Sequence, residues 1–404
     1  MDFIKVKNFP NYNQQSLLEA VKSKEPVRGL THNFYRYPAR FSPLFAREII
    51  KTFTNKGDLV FDPFMGGGTT LVESFSMGRS SLGLDVSTLS TFISQAKTTL
   101  LSEKDIISII DWSGRIQDRI NLRNPAVRAI DWELKGYQKN ISNRTTWPIR
   151  KTLELILATL HEIPNKKQNQ FIRCALLKTA QWAFDCFKIP SAKEFRKAFI
   201  INISEMVDGM REFKTQVRAE QRNLSAKTKL YPVCLSRSAV GIEKEKRISK
   251  NYRPKLVLTS PPYPGVHVLY HRWQIRGRKE TPAPFWIANC LDGNKAAYYA
   301  FGDRHQDGLA SYFQQQYLAF SSIAKLLDKN SLVVQMVAFS DLSWQLQKYL
   351  ETMEQAGFKE VYLKSMEKTA ERRLWRTVPG RKWYAQQKGT IASSKEVVLF
   401  HQLA

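Results

Sequence analysis

Apolar positions in the first hundred residues fall into short runs punctuated by glycine and proline, and the spacing alternates between helical and extended periods. Residues 1–30 are polar apart from one amphipathic stretch, Ser16 to Val21. An aromatic and basic loop with two prolines follows, THNFYRYPARFSP, and then a helical spacing from Leu44 to Phe53. After a turn at Gly57-Asp58, Leu59-Val60-Phe61 reads as a buried strand that stops at Asp62-Pro63. The segment MGGGTT leads into a helix from Thr69 to Met77, ended by Gly78. Ser81 to Leu84 reads as a second strand ending at Asp85. Strand, glycine loop, helix, strand, acid is the opening half of a nucleotide-binding α/β unit.

From about Leu101 to Leu230 the spacing is mainly helical and basic residues occur throughout. Strand patterns return at Tyr231–Leu235 and at Lys255–Leu258, the second running into Thr259-Ser260-Pro261-Pro262-Tyr263. An irregular aromatic and basic stretch occupies 264–308. The pattern then predicts a helix (Ser311 to Leu327), a buried strand (Ser331 to Phe339), a helix (Leu342 to Ala356), a turn at Gly357 and a last strand (Glu396 to His401). No internal repeat or low-complexity tract occurs.

Composition changes this picture in one respect. The 62 Lys and Arg against 36 Asp and Glu give a formal charge of +26. A surface that basic attracts polyanions, nucleic acid first among them. Cys174, Cys186, Cys234 and Cys290 form no C-x-x-C pair and have no histidine at metal-ligand spacing, so they read as reduced core thiols and no metal is expected. The N-terminus lacks a signal-peptide pattern and no apolar run is long enough to span a bilayer, so a cytoplasmic location is expected.

Two segments carry candidate chemistry. Asp62-Pro63-Phe64-Met65-Gly66-Gly67-Gly68-Thr69-Thr70 lies at a strand's carboxyl end, where glycines let a ligand approach the backbone. Asp85 follows Asp62 by 23 residues, close to the spacing of an acid that binds ribose hydroxyls; the plainer alternative is a helix N-cap. No Gly-Lys-Ser/Thr and no G-x-G-x-x-G is present, which disfavours ATP and NAD. The second segment is Ser260 to Tyr263. Paired prolines fix a rigid turn, and the hydroxyl, the carbonyls and the ring project from a sheet edge. Acceptors there can orient a base amino group and an aromatic face can hold the base, which must first leave the duplex.

Together these segments resemble the amino-group DNA methyltransferases of restriction–modification systems. Residues 62–70 match that family's Asp-Pro-Phe-x-Gly-x-Gly-Thr-Thr motif, and residues 260–263 match its catalytic motif. Tyr37-Pro38-Ala39-Arg40-Phe41 looks like a third motif that precedes the first strand. The resemblance covers about 31–100 and 231–404. It implies a Rossmann-like α/β fold with a mainly parallel seven-stranded sheet whose C-terminal strand closes a hairpin. Residues 1–100 and 231–404 would form the two parts of the methyltransferase domain. Residues 101–230 would be a large helical insertion and a candidate DNA-recognition region.

The implied cofactor is S-adenosyl-L-methionine, held by Tyr37, Phe41, Asp62, Pro63, Phe64, Gly66, Gly68, Thr69, Thr70, Asp85 and Val86. The implied catalytic residues are Ser260, Pro261, Pro262 and Tyr263, acting by direct displacement with no covalent enzyme intermediate. The implied partners are double-stranded DNA and a cognate restriction endonuclease. Serine at the head of the motif is, in this family, the usual mark of cytosine-N4 enzymes. Adenine-N6 methylation is the nearest rival. An RNA guanine-N2 enzyme and an inactive nucleic-acid-binding module are more distant ones. Cytosine-C5 methylation uses a Pro-Cys nucleophile, and no Pro-Cys occurs. Related enzymes often carry an acid after the strand that precedes the catalytic one, whereas Leu235-Ser236-Arg237-Ser238 has none, which leaves Phe64 and Val86 to hold the adenine.

Candidate DNA contacts are Arg36, Arg40, Arg272, Trp273, Arg276, Arg278, Arg372, Arg373, Arg376, Arg381 and Lys382, with Lys139, Arg144 and Arg150 of the helical region gripping phosphate. The alternative for the clusters at 270–279 and 372–384 is a solvated basic surface with some core aromatics.

Overall fold

The computed structural model describes residues 2–4, 12–23, 25, 27–37, 42–125, 130–225, 228–248, 253–264, 273–277, 279–292, 301, 306–366, 372–377 and 395–404. Strand β1 (Asp2–Ile4) and helices α1 (Gln14–Lys22) and α2 (Pro43–Phe53) precede a βαβ unit of β2 (Leu59–Asp62), α3 (Thr69–Ser76) and β3 (Ser80–Asp85). Helix α4 (Thr88–Thr98) is followed by α5 (Glu103–Arg119), α6 (Ile130–Leu134), α7 (Trp147–Ala158), α8 (Lys166–Asp185) and α9 (Ala192–Arg222). Next come β4 (Pro232–Ser236), β5 (Leu256–Thr259), a hairpin of β6 (Trp273–Ile275) and β7 (Lys279–Thr281), and α10 (Ala283–Ala288). The chain closes with α11 (Gln306–Ala324), β8 (Leu332–Ala338), α12 (Leu342–Gln355), β9 (Phe358–Leu363), β10 (Leu374–Thr377) and β11 (Lys395–Leu403).

The main sheet has the order β1-β9-β11-β8-β5-β2-β3-β4, with β10 also paired to β11. Strands β4, β3, β2, β5 and β8 run parallel, as helical crossovers require, and β11 runs antiparallel to both β8 and β9. Seven strands from β4 to β9 make the expected mainly parallel α/β sheet, and the short strands β1 and β10 extend it to nine. Three of these differ from the sequence reading, which has no strand in the polar residues 1–30 where β1 forms. Strand β9 follows the Gly357 turn, where charged Lys359 and Glu360 hide the alternation. Residues 374–377, read as part of a basic cluster, form β10.

The buried strands β5 and β8 send alternate side chains to opposite faces. Val257, Val333 and Val337 pack with α11 and α12, while Leu256, Leu258, Leu332, Val334 and Met336 pack with α1 and α2. A third cluster holds Leu30 to Tyr37, α3, α4, α5 and α7 to α9, Trp273 and Ile275 of the hairpin, and α10. The region 101–230 therefore shares its core with the segments before and after it, and the divisions at 100 and 230 do not separate hydrophobic cores. The stretch 264–308, expected to be irregular, contains the hairpin and α10, with Phe285 and Trp286 buried.

Candidate active site

The glycine loop forms the tight turn from β2 into α3. Gly66 and Gly68 adopt φ of +46° and +75°, and Gly68 is the N-cap of α3. A Cβ at Gly68 would lie 2.6 Å from Ser94 Oγ, and one at Gly66 would lie 3.3 Å from Tyr37 Cε1. Both positions therefore demand glycine, for conformation and for space. The loop is gripped from α4: Ser90 Oγ donates to Gly66 O at 2.6 Å, Ser94 Oγ to the same carbonyl at 3.3 Å, and the buried Lys97 Nζ to Gly67 O at 2.7 Å. These three lie at i, i+4 and i+7 on one helix face. Sequence reasoning missed them, although polar residues at that spacing on a core-facing helix are a usable signal.

Two carboxylates flank the loop. Asp85 accepts from the Gly66 amide at 3.0 Å and from the Ser87 amide at 2.8 Å, so it bridges the glycine loop to the start of α4. The N-cap of α4 is Ser87, not Asp85. Burial raises the Asp85 carboxyl above its ordinary value, and the hydrogen bonds from Ser87, Ser90 and Gly66 oppose that shift. Asp62 is buried. Burial pushes its carboxyl up to about 6 against hydrogen bonds from Thr259, Thr70 and Phe64, and nearby Asp85 adds to the rise. Thr259 Oγ1 donates to Asp62 Oδ1 at 2.6 Å and ties the ends of β5 and β2 together. Asp62 thus braces the strand ends from within the edge. Pro63, Thr69 and Thr70 are also buried, and Phe64 meets Phe301 edge-on at 5.4 Å. Val86 is 41% exposed beside Asp85.

Ser260 to Tyr263 leaves β5 at the same edge. Ser260 Oγ donates to the Tyr263 hydroxyl at 3.0 Å, and that hydroxyl donates to Glu396 Oε1 of β11 at 2.9 Å. Arg376 of β10 faces Glu396 at 3.4 Å. Tyr312 of α11 donates to Pro262 O at 2.7 Å and fixes the turn. The Tyr263 ring is buried among the side chains packed on α11 and α12, not presented as the open stacking face expected. Glu396 lies far along the chain, and nothing in the sequence marks it as a partner of Tyr263.

The segment before α2 is strapped over the glycine loop. Glu73 of α3, fully buried, accepts from Arg47 at 2.9 and 3.2 Å and meets His32 Nε2 at 2.7 Å. Burial would raise its carboxyl, but His32 and Arg47 prevail and hold it below the usual range. The Leu30 amide donates to Glu212 of α9 at 3.2 Å, and Gly209 leaves room for the Leu30 carbonyl, which would stand 2.3 Å from a Cβ there. These contacts set Tyr37 against Gly66. The sequence shows the aromatic segment but not the acid beneath it.

The predicted DNA contacts divide. Arg36 and Arg276 are exposed. Trp273 is buried and donates to the Tyr35 hydroxyl at 2.8 Å, so it is a core residue and offers DNA no face. Arg373, just before β10, makes two bonds to Glu360, at 2.7 and 2.8 Å, and Arg376 in β10 is occupied by Glu396, so the charge of both is already matched. Arg150 is paired with Glu154, whereas Lys139 and Arg144 are exposed. Arg372 has φ of +51° beside β10. Arg40, Phe41, Arg272, Arg278, Arg381 and Lys382 lie outside the described residues. Among the described residues no helix is long and apolar enough to cross a membrane.

The region after β4 carries acids, but they are engaged: Glu243 with Lys325, and Glu245 with Arg237 and Arg247. Leu235 and Ser236 end the strand beside β3 and Arg237 and Ser238 follow it, so the missing acid is a feature of this chain.

Comparison with known proteins places these observations. The DNA methylase family of N6 and N4 enzymes matches residues 6–94. The type II methyltransferase M.MjaII of Methanocaldococcus jannaschii is 39% identical over 66 residues, 16% of this chain and 12% of its own length. The type II methyltransferase M.MvaI of Kocuria varians is 38% identical over 95 residues, 22% of this chain and 21% of its own. The DNA adenine methyltransferase YhdJ of Escherichia coli is 32% identical over 81 residues, 20% of this chain and 28% of its own. The matched segments thus span less than a third of each of these relatives. The family match falls on the block that holds the glycine loop, so this part of the chain resembles the amino-methyltransferases of restriction–modification systems, and the mainly parallel α/β sheet around it is consistent with a Rossmann-like methyltransferase fold.

Proposed function

We propose that this chain is a DNA methyltransferase that transfers a methyl group from S-adenosylmethionine to the exocyclic N4 amino group of cytosine in duplex DNA. The observation that carries this reading is the juxtaposition of two loops. The Asp62–Thr70 loop and the Ser260–Tyr263 loop leave adjacent parallel strands at one edge and are joined by the Thr259–Asp62 hydrogen bond. Ligands of open α/β sheets bind at such an edge.

The residues fit the cofactor. Two carboxylates raised by burial favour a ligand bearing positive charge, and the sulfonium and ammonium groups meet that condition. Asp85 would accept from the ribose hydroxyls while it keeps the loop amides. Tyr37 lies against Gly66 of the loop, and the exposed face of Val86 suits the adenine ring. S-adenosylmethionine supplies an electrophilic methyl group when bound. Ser260 Oγ and the neighbouring carbonyls act as acceptors for the base amino group, turning its lone pair toward that methyl. Tyr263 receives the flipped base once its ring leaves the pocket it shares with Glu396.

Serine at position 260 favours cytosine. The likeness to a protein named as a DNA adenine methyltransferase supports adenine-N6 as the second reading. Double-stranded DNA is the partner the charge of +26 suits, and a cognate endonuclease is the partner the family setting suggests. The test is transfer from methyl-labelled cofactor to plasmid DNA and, separately, to total RNA. Label in DNA alone supports the proposal, and label in RNA alone would refute it.

A further inference from the structure

We propose that the turn between α8 and α9 is a wedge that enters the DNA stack, with Phe187 as the inserted residue; this rests on the DNA-methyltransferase reading. Phe187 is 93% exposed, and Trp182, on the last turn of α8, is 43% exposed. Leaving a phenylalanine ring in water forgoes the free energy its burial would gain. The chain on either side of the ring is anchored. The Cys186 amide donates to Trp182 O at 3.2 Å, Ile189 packs into the helical core, and a capping box of Ser191 and Glu194 starts α9 just beyond.

Cations surround this turn. Lys188 is exposed next to Phe187. Arg36, with a side chain 65% exposed, reaches Asp185 at 2.5 Å, and its carbonyl accepts from Gln181 at 3.0 Å. The β6–β7 hairpin brings Arg276, whose amide donates to Phe184 O at 3.0 Å and whose side chain is exposed. Three separate segments thus meet at this turn: Lys188 and Arg276 are its exposed cations, and Arg36 stands beside them with its charge shared by Asp185. Arg36 immediately precedes Tyr37, which lies against Gly66, so the turn stands beside the cofactor loop.

An aromatic tip inside a rim of positive charge matches duplex DNA, where stacked bases lie between two rows of phosphates. A second copy of this basic chain would bring like charge to the rim. Phe187 would fill the gap that a base leaves on extrusion, lowering the cost of unstacking while the cations hold the backbone.

The experiment compares wild type with Phe187→Ala and Phe187→Trp in three measurements: methyl transfer to plasmid DNA, filter binding of the same DNA, and calorimetric affinity for S-adenosylmethionine. The expected result is a transfer rate lowered about tenfold in Phe187→Ala, equivalent to losing ~1.4 kcal/mol of help with extrusion. DNA affinity should change by less than about twofold, because no phosphate contact is lost. Cofactor affinity should not change, and Phe187→Trp should retain most of the rate. Wild-type transfer by Phe187→Ala, or a rate and an affinity that fall in the same proportion, would overturn the wedge and leave the methyltransferase reading intact. A wild-type protein that labels no DNA would overturn both.

Discussion

The glycine loop after β2 and the proline turn after β5 leave neighbouring strands, yet they are held by different means. Main-chain groups do much of the work in the first: Asp85 takes two amides, and Ser90, Ser94 and Lys97 take two carbonyls. In the second, Tyr312 holds one carbonyl, that of Pro262, and the remaining bonds use side chains that the substrate would also need: Ser260 and Tyr263 bond to each other, and Tyr263 to Glu396. A loop fixed through its backbone keeps its shape when a ligand arrives. A loop fixed through its reactive side chains must exchange partners. On this account the cofactor site is ready-made and the base site opens only on substrate binding.

The sharpest break of that comparison is Asp85→Ala. It removes the acceptor proposed for ribose and frees the Gly66 amide, so affinity for S-adenosylmethionine should fall about a hundredfold, since hydrogen bonds to charged groups contribute ~1.5–3 kcal/mol. Calorimetry showing unchanged affinity in a folded variant would remove Asp85 from the site.

On the other loop, Tyr263→Ala should lower methyl transfer about thirtyfold by deleting the stacking face, within the range of base–aromatic stacking energies. Tyr263→Phe deletes only the hydroxyl that links Ser260 to Glu396 and should keep the rate within about threefold, the worth of one modest hydrogen bond. If both variants lose activity equally, the hydroxyl rather than the ring carries the function.

Gly68→Ala should cost stability before it costs chemistry. The left-handed backbone and the 2.6 Å approach to Ser94 predict a loss of about 2 kcal/mol, measurable by urea unfolding. A neutral result would mean that the loop is not as rigid as the comparison requires.

The smallest effect concerns pH. Burial pushes the Asp62 carboxyl up to about 6, so the ligand-free protein holds it protonated at pH 5 and ionised at pH 7. A cationic ligand favours the ionised form, and affinity for S-adenosylmethionine should rise severalfold from pH 5 to pH 7. Without ligand the sign reverses: the raised carboxyl makes the fold less stable as pH climbs from about 4 to about 6. Asp62→Asn should flatten both trends, and calorimetric titrations with thermal melts across that range would detect either trend surviving.

How much of this was legible in the sequence follows the same division. The strand ends at Asp62 and Asp85 and the glycines between them are local signals, because a tight turn between a strand and a helix dictates its own residues. The mainly parallel sheet was implied by the resemblance, whereas the order of its strands was not read from the sequence. Partners brought in by the sheet were not legible. Glu396 reaches Tyr263 only because antiparallel β11 lies two strands from β5, and Glu73 reaches His32 only because the N-terminal segment folds back over α3. The basic cluster at 372–376 misled for a related reason. Arginines opposed by Glu360 and Glu396 across a sheet look, in sequence, like free cations. Trp273 was misread because an aromatic between basic residues has no local mark of burial.

The most direct measurement is the identity of the modified base. DNA from cells expressing the protein, and from cells expressing Ser260→Ala, would be digested to nucleosides and the modified species identified by mass. The account predicts N4-methylcytosine in the first sample and a strongly reduced amount in the second. N6-methyladenine in its place would contradict the reading of Ser260, and no modified base at all would contradict the proposed activity.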